Sequence, residues 1–329
     1  MLTLLFALCA SAETHSGTVG NTNNINWSLD TDTGVLTLTG SGATGGFGKD
    51  NRAPWYEHRS LIQSIVVEEG VTNLGQQAFN GCSAVTKVSL PSSLTTIGMQ
   101  AFQNCSSLDS ITLPSSLKAI NKQTFSGCSS LTTVTFAEGT SKLTTVSDNA
   151  FKGCTSLVSI SFPDGVATTF NATVFDGATK LTSVILGNQT AAVNATTFSG
   201  CTALAKVVFR NPNTTISCTA SLFPANVIFV GSGTSTAKTY AESNRIAFCD
   251  PENFPGGECG DGLTWTFNPL TDVLTISYTG TGTGAMATYT KEDGATPAPW
   301  YAYAASIRKI EVGEGVTVIG KYSFNYLNI

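Results

Sequence analysis

The chain has 329 residues, 41% of them hydrophobic and only 12% charged, with a net charge of −5. That length allows two or three compact units or one stack of repeats, and the charged share is about half the globular average. With no basic run, the counterion release that drives nucleic-acid binding has no source, and no stretch approaches the roughly 20 apolar residues of a membrane span, so neither partner is expected.

In chain order, residues 1–12 read as a secretory signal peptide: an apolar stretch over 2–10, then Ala10-Ser11-Ala12 as a small-x-small cleavage pattern. Residues 13–60 form a small β-module marked by Trp27, the strand pattern Val35-Leu36-Thr37-Leu38, a glycine-rich stretch over 40–48, and Pro54-Trp55-Tyr56.

From residue 61 the chain repeats with a period of 23 to 26. Phenylalanines recur at Phe79, Phe102, Phe125, Phe151, Phe175 and Phe198, and more loosely at Phe223. A cysteine stands three residues later at Cys82, Cys105, Cys128, Cys154 and Cys201, with Ala178 in the Phe175 unit; an aliphatic follows at Val85, Leu108, Leu131, Leu157, Leu181 and Leu204. One such unit is too small to bury its own apolar side chains, so the pattern requires neighbours that stack into a shared interior. Within a unit, Ser110-Ile111-Thr112-Leu113 alternates polar and apolar as a strand with one buried face does. Stacking places Ile111 over Val88 and under Val134, with strands parallel. Pro91, Pro114 and Pro163 end the pairing because proline has no N–H to donate. Leu94/Ile97, Leu117/Ile120 and Leu143/Val146 supply the other side of each coil.

This unit resembles the BspA-type leucine-rich repeat of surface and secreted proteins in bacteria and protists. The resemblance covers about residues 61–230. It implies a mostly-β leucine-rich-repeat solenoid of short parallel strands flanked by small β-modules. It also implies adhesion to host, matrix or cell-surface proteins, or coaggregation, by a non-catalytic surface.

The array, residues 61–249, ends in strand-like Val227-Ile228-Phe229-Val230, a short helix over 235–242 that covers the last rung, and a final strand at Ile246-Ala247-Phe248. Residues 250–258, rich in Pro and Gly, are a linker. Residues 259–329 repeat the opening. Trp265 matches Trp27, Val273-Leu274-Thr275-Ile276 matches the first strand pattern, and Pro299-Trp300-Tyr301 matches the first Pro-Trp-Tyr. Glu314-Gly315-Val316 matches Glu69-Gly70-Val71, and Phe324 matches Phe79. A second β-module therefore leads into a truncated repeat array.

Little in this sequence carries catalysis. Of the two histidines, His15 follows the cleavage site, and His58 has no counterpart in the second copy; it reads as an ordinary surface histidine without the oriented base that a nucleophilic site needs. No cofactor or metal is expected, since the cysteine spacings equal the repeat period rather than the close pairs of a zinc site. The periodic cysteines read as free buried thiols, whereas Cys249 with Cys218 or with Cys259 is the expected disulfide of a secreted chain. Asn26, Asn104, Asn171, Asn188, Asn194 and Asn213 head glycosylation sequons, Asn104 being expected too buried for modification.

The expected protein-binding surface is the outward side of the strands: Lys87, Ser89, Ser110, Thr112, Thr133, Thr135, Ser159, Ser161, Ser183, Ile185, Lys206 and Val208. It offers many hydroxyls and little charge, and turns apolar at Ile185 and Val208. Thr and Ser also suit any exposed strand. The leading reading is a secreted or cell-surface protein that binds extracellular proteins without turnover. A self-assembling surface coat is the alternative, and a hydrolase built on an acid pair the distant one.

Overall fold

Hydrophobic alternation at a period of two, interrupted every few residues by turn-forming Gly, Asn and Ser, dictates short strands rather than helices. The computed structural model describes residues 13–20, 24–165, 167–290, 297–325 and 327. Residues 1–12, the expected signal peptide, lie outside them. The fold is mostly β with parallel strands, as expected, and the described residues contain a single α-helix. The chain divides into two compact units: residues 1–143 with 147–155, and residues 144–146 with 156–329.

The first unit begins with an antiparallel meander, Thr14–Val19, Ile25–Asp30 and Val35–Gly40. Its third strand pairs in parallel with Ser64–Val67, which pairs with Lys87–Ser89, so the module runs into the repeats through one sheet. Ser110–Leu113 and Thr133–Phe136 continue the front side and pair in parallel, with Val134 opposite Ile111. On the back, Gly42–Ala43, Val71–Leu74, Thr96–Ile97 and Ala119–Ile120 form a second parallel ladder.

Between the ladders the aromatic rings stack. Trp55, Phe79, Phe102, Phe125 and Phe151 lie 5.2–5.7 Å apart, centroid to centroid, and all are fully buried. Each ring thus stabilises its neighbours, and truncating one to alanine costs about 3–5 kcal/mol. The cysteine three residues on has a specific task. Cys105 Sγ donates to the Phe79 carbonyl (3.3 Å), Cys128 to Phe102 (3.1 Å) and Cys154 to Phe125 (3.2 Å). A small thiol fits the column and gives a buried carbonyl of the preceding rung a second donor beside the backbone N–H of its own turn.

The turn that delivers each ring is bent by a left-handed residue two positions before it: Gln77, Gln100 and Gln123, at φ of 55°, 58° and 57°. An L-residue there costs about 1–2 kcal/mol. An amide ladder offsets this: Gln77 Nε2 donates to Gln100 Oε1 (2.8 Å) and Gln100 Nε2 to Gln123 Oε1 (3.0 Å).

The second unit repeats the plan. Its front strands Ser159–Ser161, Ser183–Leu186, Lys206–Phe209, Ile228–Gly231 and Ala247–Cys249 are all parallel, and its back strands Thr145–Val146, Thr168–Phe170, Thr190–Val193 and Thr215–Ile216 likewise. The helix Thr236–Ser243 covers the last rung. Ser235 caps it by accepting from Lys238 N, Ala237 and Ala241 are buried, and Tyr240 stacks on Phe229 at 5.9 Å.

The second β-module copies the first: Gly256–Asp261, Leu263–Asn268 and Val273–Tyr278 are antiparallel, and the third pairs in parallel with Lys309–Val312. The Pro-Trp-Tyr tryptophans play one role twice. Trp55 Nε1 donates to the Ala78 carbonyl and Trp300 Nε1 to that of Ser323, both at 2.8 Å, and each ring stacks on the next phenylalanine. The strand Gly256–Asp261 takes up the last residues of the expected 250–258 linker.

Candidate protein-binding face

Because side chains alternate along a strand, each rung presents two residues outward around its buried central one. In the first unit those residues are solvent-exposed: Lys87, Ser89, Ser110, Thr112, Thr133 and Thr135. Neighbouring rungs place like residues side by side, so Thr112 and Thr135 share a hydrogen bond between their hydroxyls (2.8 Å). A shallow groove of about 460 Å³ crosses this face, lined by Ser64, Val66, Lys87, Ser89, Ser110 and Thr112. Lys87 makes no ion pair among the described residues.

In the second unit the same register of positions has two fates. Ser159 and Ser161 are exposed, and Ser183 and Ile185 are half-buried. Lys206 and Val208, expected to be outward and accessible, are buried at 7% and 6% exposure. The cause is the second β-module, which covers them. Val208, Ile228, Val230 and Cys249 join Trp265, Phe267, Trp300 and Ile307 in one apolar cluster, with Ile185 packed at its edge. Lys206 Nζ reaches the Asp272 carboxylate (2.6 Å) and the Pro269 carbonyl (2.8 Å), and Ser306 Oγ donates to the Ala205 carbonyl (3.2 Å). The apolar drift at Ile185 and Val208 therefore marks an internal contact, not a free surface. The expected face and the contact share the same positions, and only the preference for apolar residues over hydroxyls distinguished them in the sequence.

Three further expectations are corrected. Cys218, Cys249 and Cys259 are free thiols: Cys218 Sγ donates to the Asn194 carbonyl, while Cys249 and Cys259 sit in the apolar cluster. Asn104 is exposed, since its left-handed conformation (φ 59°) turns the side chain out of the column. His58 is half-buried and stacks on His15, the rings 3.9 Å apart; the first strand and the Tyr56–His58 turn bring together the two histidines, which are 43 residues apart in sequence.

Burial pushes the Cys128 and Cys201 thiols up to about 12 and those of Cys105 and Cys154 well beyond the ordinary range; a thiol held neutral is neither nucleophile nor metal ligand. Among the described residues no group of three or more His, Cys, Asp and Glu side chains is arranged to hold a metal ion, and no helix is long and apolar enough to cross a membrane.

Residues 54–167 and 137–223, together just over half the chain, match the family described as BspA type Leucine rich repeat region, in six copies. No curated protein matches the chain. Similar solved structures include a leucine-rich repeat protein from Bacteroides ovatus (18% identity, 92% of this chain and 80% of that one, TM-score 0.42). Others are a leucine rich cell surface protein from Faecalibacterium prausnitzii (16%, 91% and 95%, 0.35) and the pneumococcal vaccine antigen PcpA (14%, 70% and 98%, 0.32).

Proposed function

We propose, from the premise that this chain belongs to the BspA-type leucine-rich repeat family, that it is a non-enzymatic binding protein of the cell exterior whose exposed front strands engage extracellular or cell-surface proteins. The observation that carries this reading is the hydroxyl-lined face of the first unit, where Ser110, Thr112, Thr133 and Thr135 stand exposed in register and Ser89 is exposed on the preceding rung. Such a face offers repeated neutral hydrogen bonds across several rungs, each worth about 1 kcal/mol net. Affinity then comes from their number rather than from one charged anchor. Low charge also spares the face the desolvation penalty of buried ions.

The test is surface plasmon resonance of the full chain against purified extracellular-matrix proteins, with the double variant Thr112→Lys/Thr135→Lys as the probe of the face. Binding should fall by tenfold or more while the melting temperature stays within 2 °C. A double variant that binds like the parent would mean that the front strands are the wrong surface. Matrix proteins that never bind, beside light scattering that grows with concentration, would favour the coat-like alternative.

A further inference from the structure

Tyr56 carries two cations on one ring. The Arg52 guanidinium carbon lies 4.2 Å from the ring centroid and that of Arg59 4.0 Å. The two charges therefore stand within about 8 Å of each other, close enough to repel at physiological salt. Neither guanidinium meets a carboxylate among the described residues, and Glu57, next to Tyr56 in the chain, is exposed and bridges to neither.

The fold of the module does not need this pair. Counting from Trp55 and Trp300, the second module keeps the tyrosine as Tyr301 but has Pro297 where Arg52 stands and Ala304 where Arg59 stands. It forms the same turn all the same, Tyr301–Tyr303 in place of Tyr56–His58. Two repelling cations on a surface turn, added to one module only and left without an acid in a chain of net charge −5, suit an anion from outside.

Their geometry suits it too. A guanidinium stacked on a ring is held in its plane and turns a fork of parallel N–H donors toward a sulfate or carboxylate. Arg59 is fixed further by donating from Nη1 to the Tyr56 carbonyl (2.8 Å). Arg52, exposed, also lines a shallow recess of about 380 Å³ beside the glycine-rich stretch. The Gly45 and Gly46 N–H groups on its wall donate to no carbonyl among the described residues, and the backbone turns at Gly45 (φ 79°). Successive amides at such a turn form a concavity that attracts anions. Phe47, half-buried, and Pro54, exposed, give the same recess two apolar faces. An acidic sugar has both complements: charged substituents for the forks and a C–H face for Phe47 and Pro54.

We propose that Arg52, Arg59 and this recess bind an acidic polysaccharide, its sulfate or carboxylate groups on the two guanidiniums and one sugar ring against Phe47 and Pro54. The site uses none of the front-strand hydroxyls, so it is independent of the protein-binding reading.

Isothermal titration of the full chain tests it, with a size-defined heparin oligosaccharide, a hyaluronan oligosaccharide and neutral dextran as probes. The parent should bind at least one of the two acidic sugars, more weakly as salt rises, and leave dextran free. Heparin held more tightly than hyaluronan assigns sulfate as the recognised group, and the reverse assigns carboxylate. Arg52→Gln should weaken that binding roughly tenfold or more, with unchanged melting temperature. Arg52→Lys keeps the charge but loses the fork, and should fall between the two. Lys87→Gln removes the same charge from the front strands and should leave the affinity as it is. A parent that binds neither acidic sugar overturns the proposal, as does an Arg52→Gln chain that binds like the parent or a Lys87→Gln chain that loses as much. Polyglutamate held as tightly as the sugars overturns it as well. The test of Thr112 and Thr135 on matrix proteins decides the protein-binding reading in every case.

Discussion

The outward strand positions of the first unit and those of the last rungs of the second obey one register and have opposite fates. In the first unit, Lys87 to Thr135 face solvent and are polar; in the second, Lys206, Val208, Ile228 and Val230 are covered and mostly apolar. The inward positions hardly differ, because Val88, Ile111, Val184 and Val207 all face the interior of their own unit, Val88 half-buried and the others buried. The lesson is that the inward residues of a repeat are dictated by the stack, while the outward residues record what, if anything, lies on top of them.

The interiors also differ, and alkaline pH should separate them most. The first unit stacks four thiols in one column, Cys82, Cys105, Cys128 and Cys154, where the second has Ala178 ahead of Cys201 and holds its other raised thiols, Cys218, Cys249 and Cys259, outside the column and off the strand Ser183–Leu186. Burial raises these thiols, to about 12 for Cys82, Cys128 and Cys201. The folded state then favours the neutral form, so its full stability is present below the unfolded thiol value of about 8.5. It is lost as pH rises toward about 12, at roughly 1.4 kcal/mol per pH unit per thiol. Hydrogen exchange at pH 10 relative to pH 7 should show protection falling first at Ser110–Leu113 and Thr133–Phe136, before Ser183–Leu186. Equal loss in both would mean that the thiol column is not the pH-sensitive element.

Next in size is the same substitution at one register position in the two regions. Val208→Asp places a charge beneath the second module and should cost about 3–4 kcal/mol by urea denaturation, whereas Thr112→Asp should stay within about 0.5 kcal/mol. Similar values at both sites would contradict the covering of Val208.

The ion pair beneath the module gives a smaller effect. Lys206→Ala leaves Asp272 facing an apolar contact and should cost about 2–3 kcal/mol, while the double change Lys206→Met/Asp272→Leu should return to within about 1 kcal/mol of the parent. A double variant as unstable as the single one would show that charge pairing, not packing, holds the module. Lys87→Met, at the matching position of the first unit, should leave monomer stability unchanged.

The smallest expected effect lies in the turns. Gln100→Gly relieves a left-handed backbone, worth about 1–2 kcal/mol, but loses both ladder hydrogen bonds that Gln100 makes, about 1 kcal/mol each, so the gain and the loss nearly cancel. Gln100→Ala keeps the strain and loses both bonds, and should cost about 1 kcal/mol more than the glycine by the same denaturation measurement. An alanine variant as stable as the glycine one would show that backbone strain is not what the ladder offsets.

The repeat period, the ring column, the inward aliphatics, the capping helix at Thr236–Ser243 and the duplicated β-module were all legible in the sequence. Each depends on local alternation or on self-similarity along the chain, and translation from one rung to the next carries that information unchanged. The thiol-to-carbonyl bonds, the stacking of His15 on His58, the free state of Cys249 and Cys259, and the burial of Lys206 under Asp272 became visible only in the tertiary structure. The thiol bonds recur once per rung but depend on a donor–acceptor geometry that no residue pattern encodes, and the two histidines, like Lys206 and Asp272, stand in no periodic relation. A linear pattern fixes which side of a strand points outward; whether that side meets water or another part of the chain depends on where the chain returns in space.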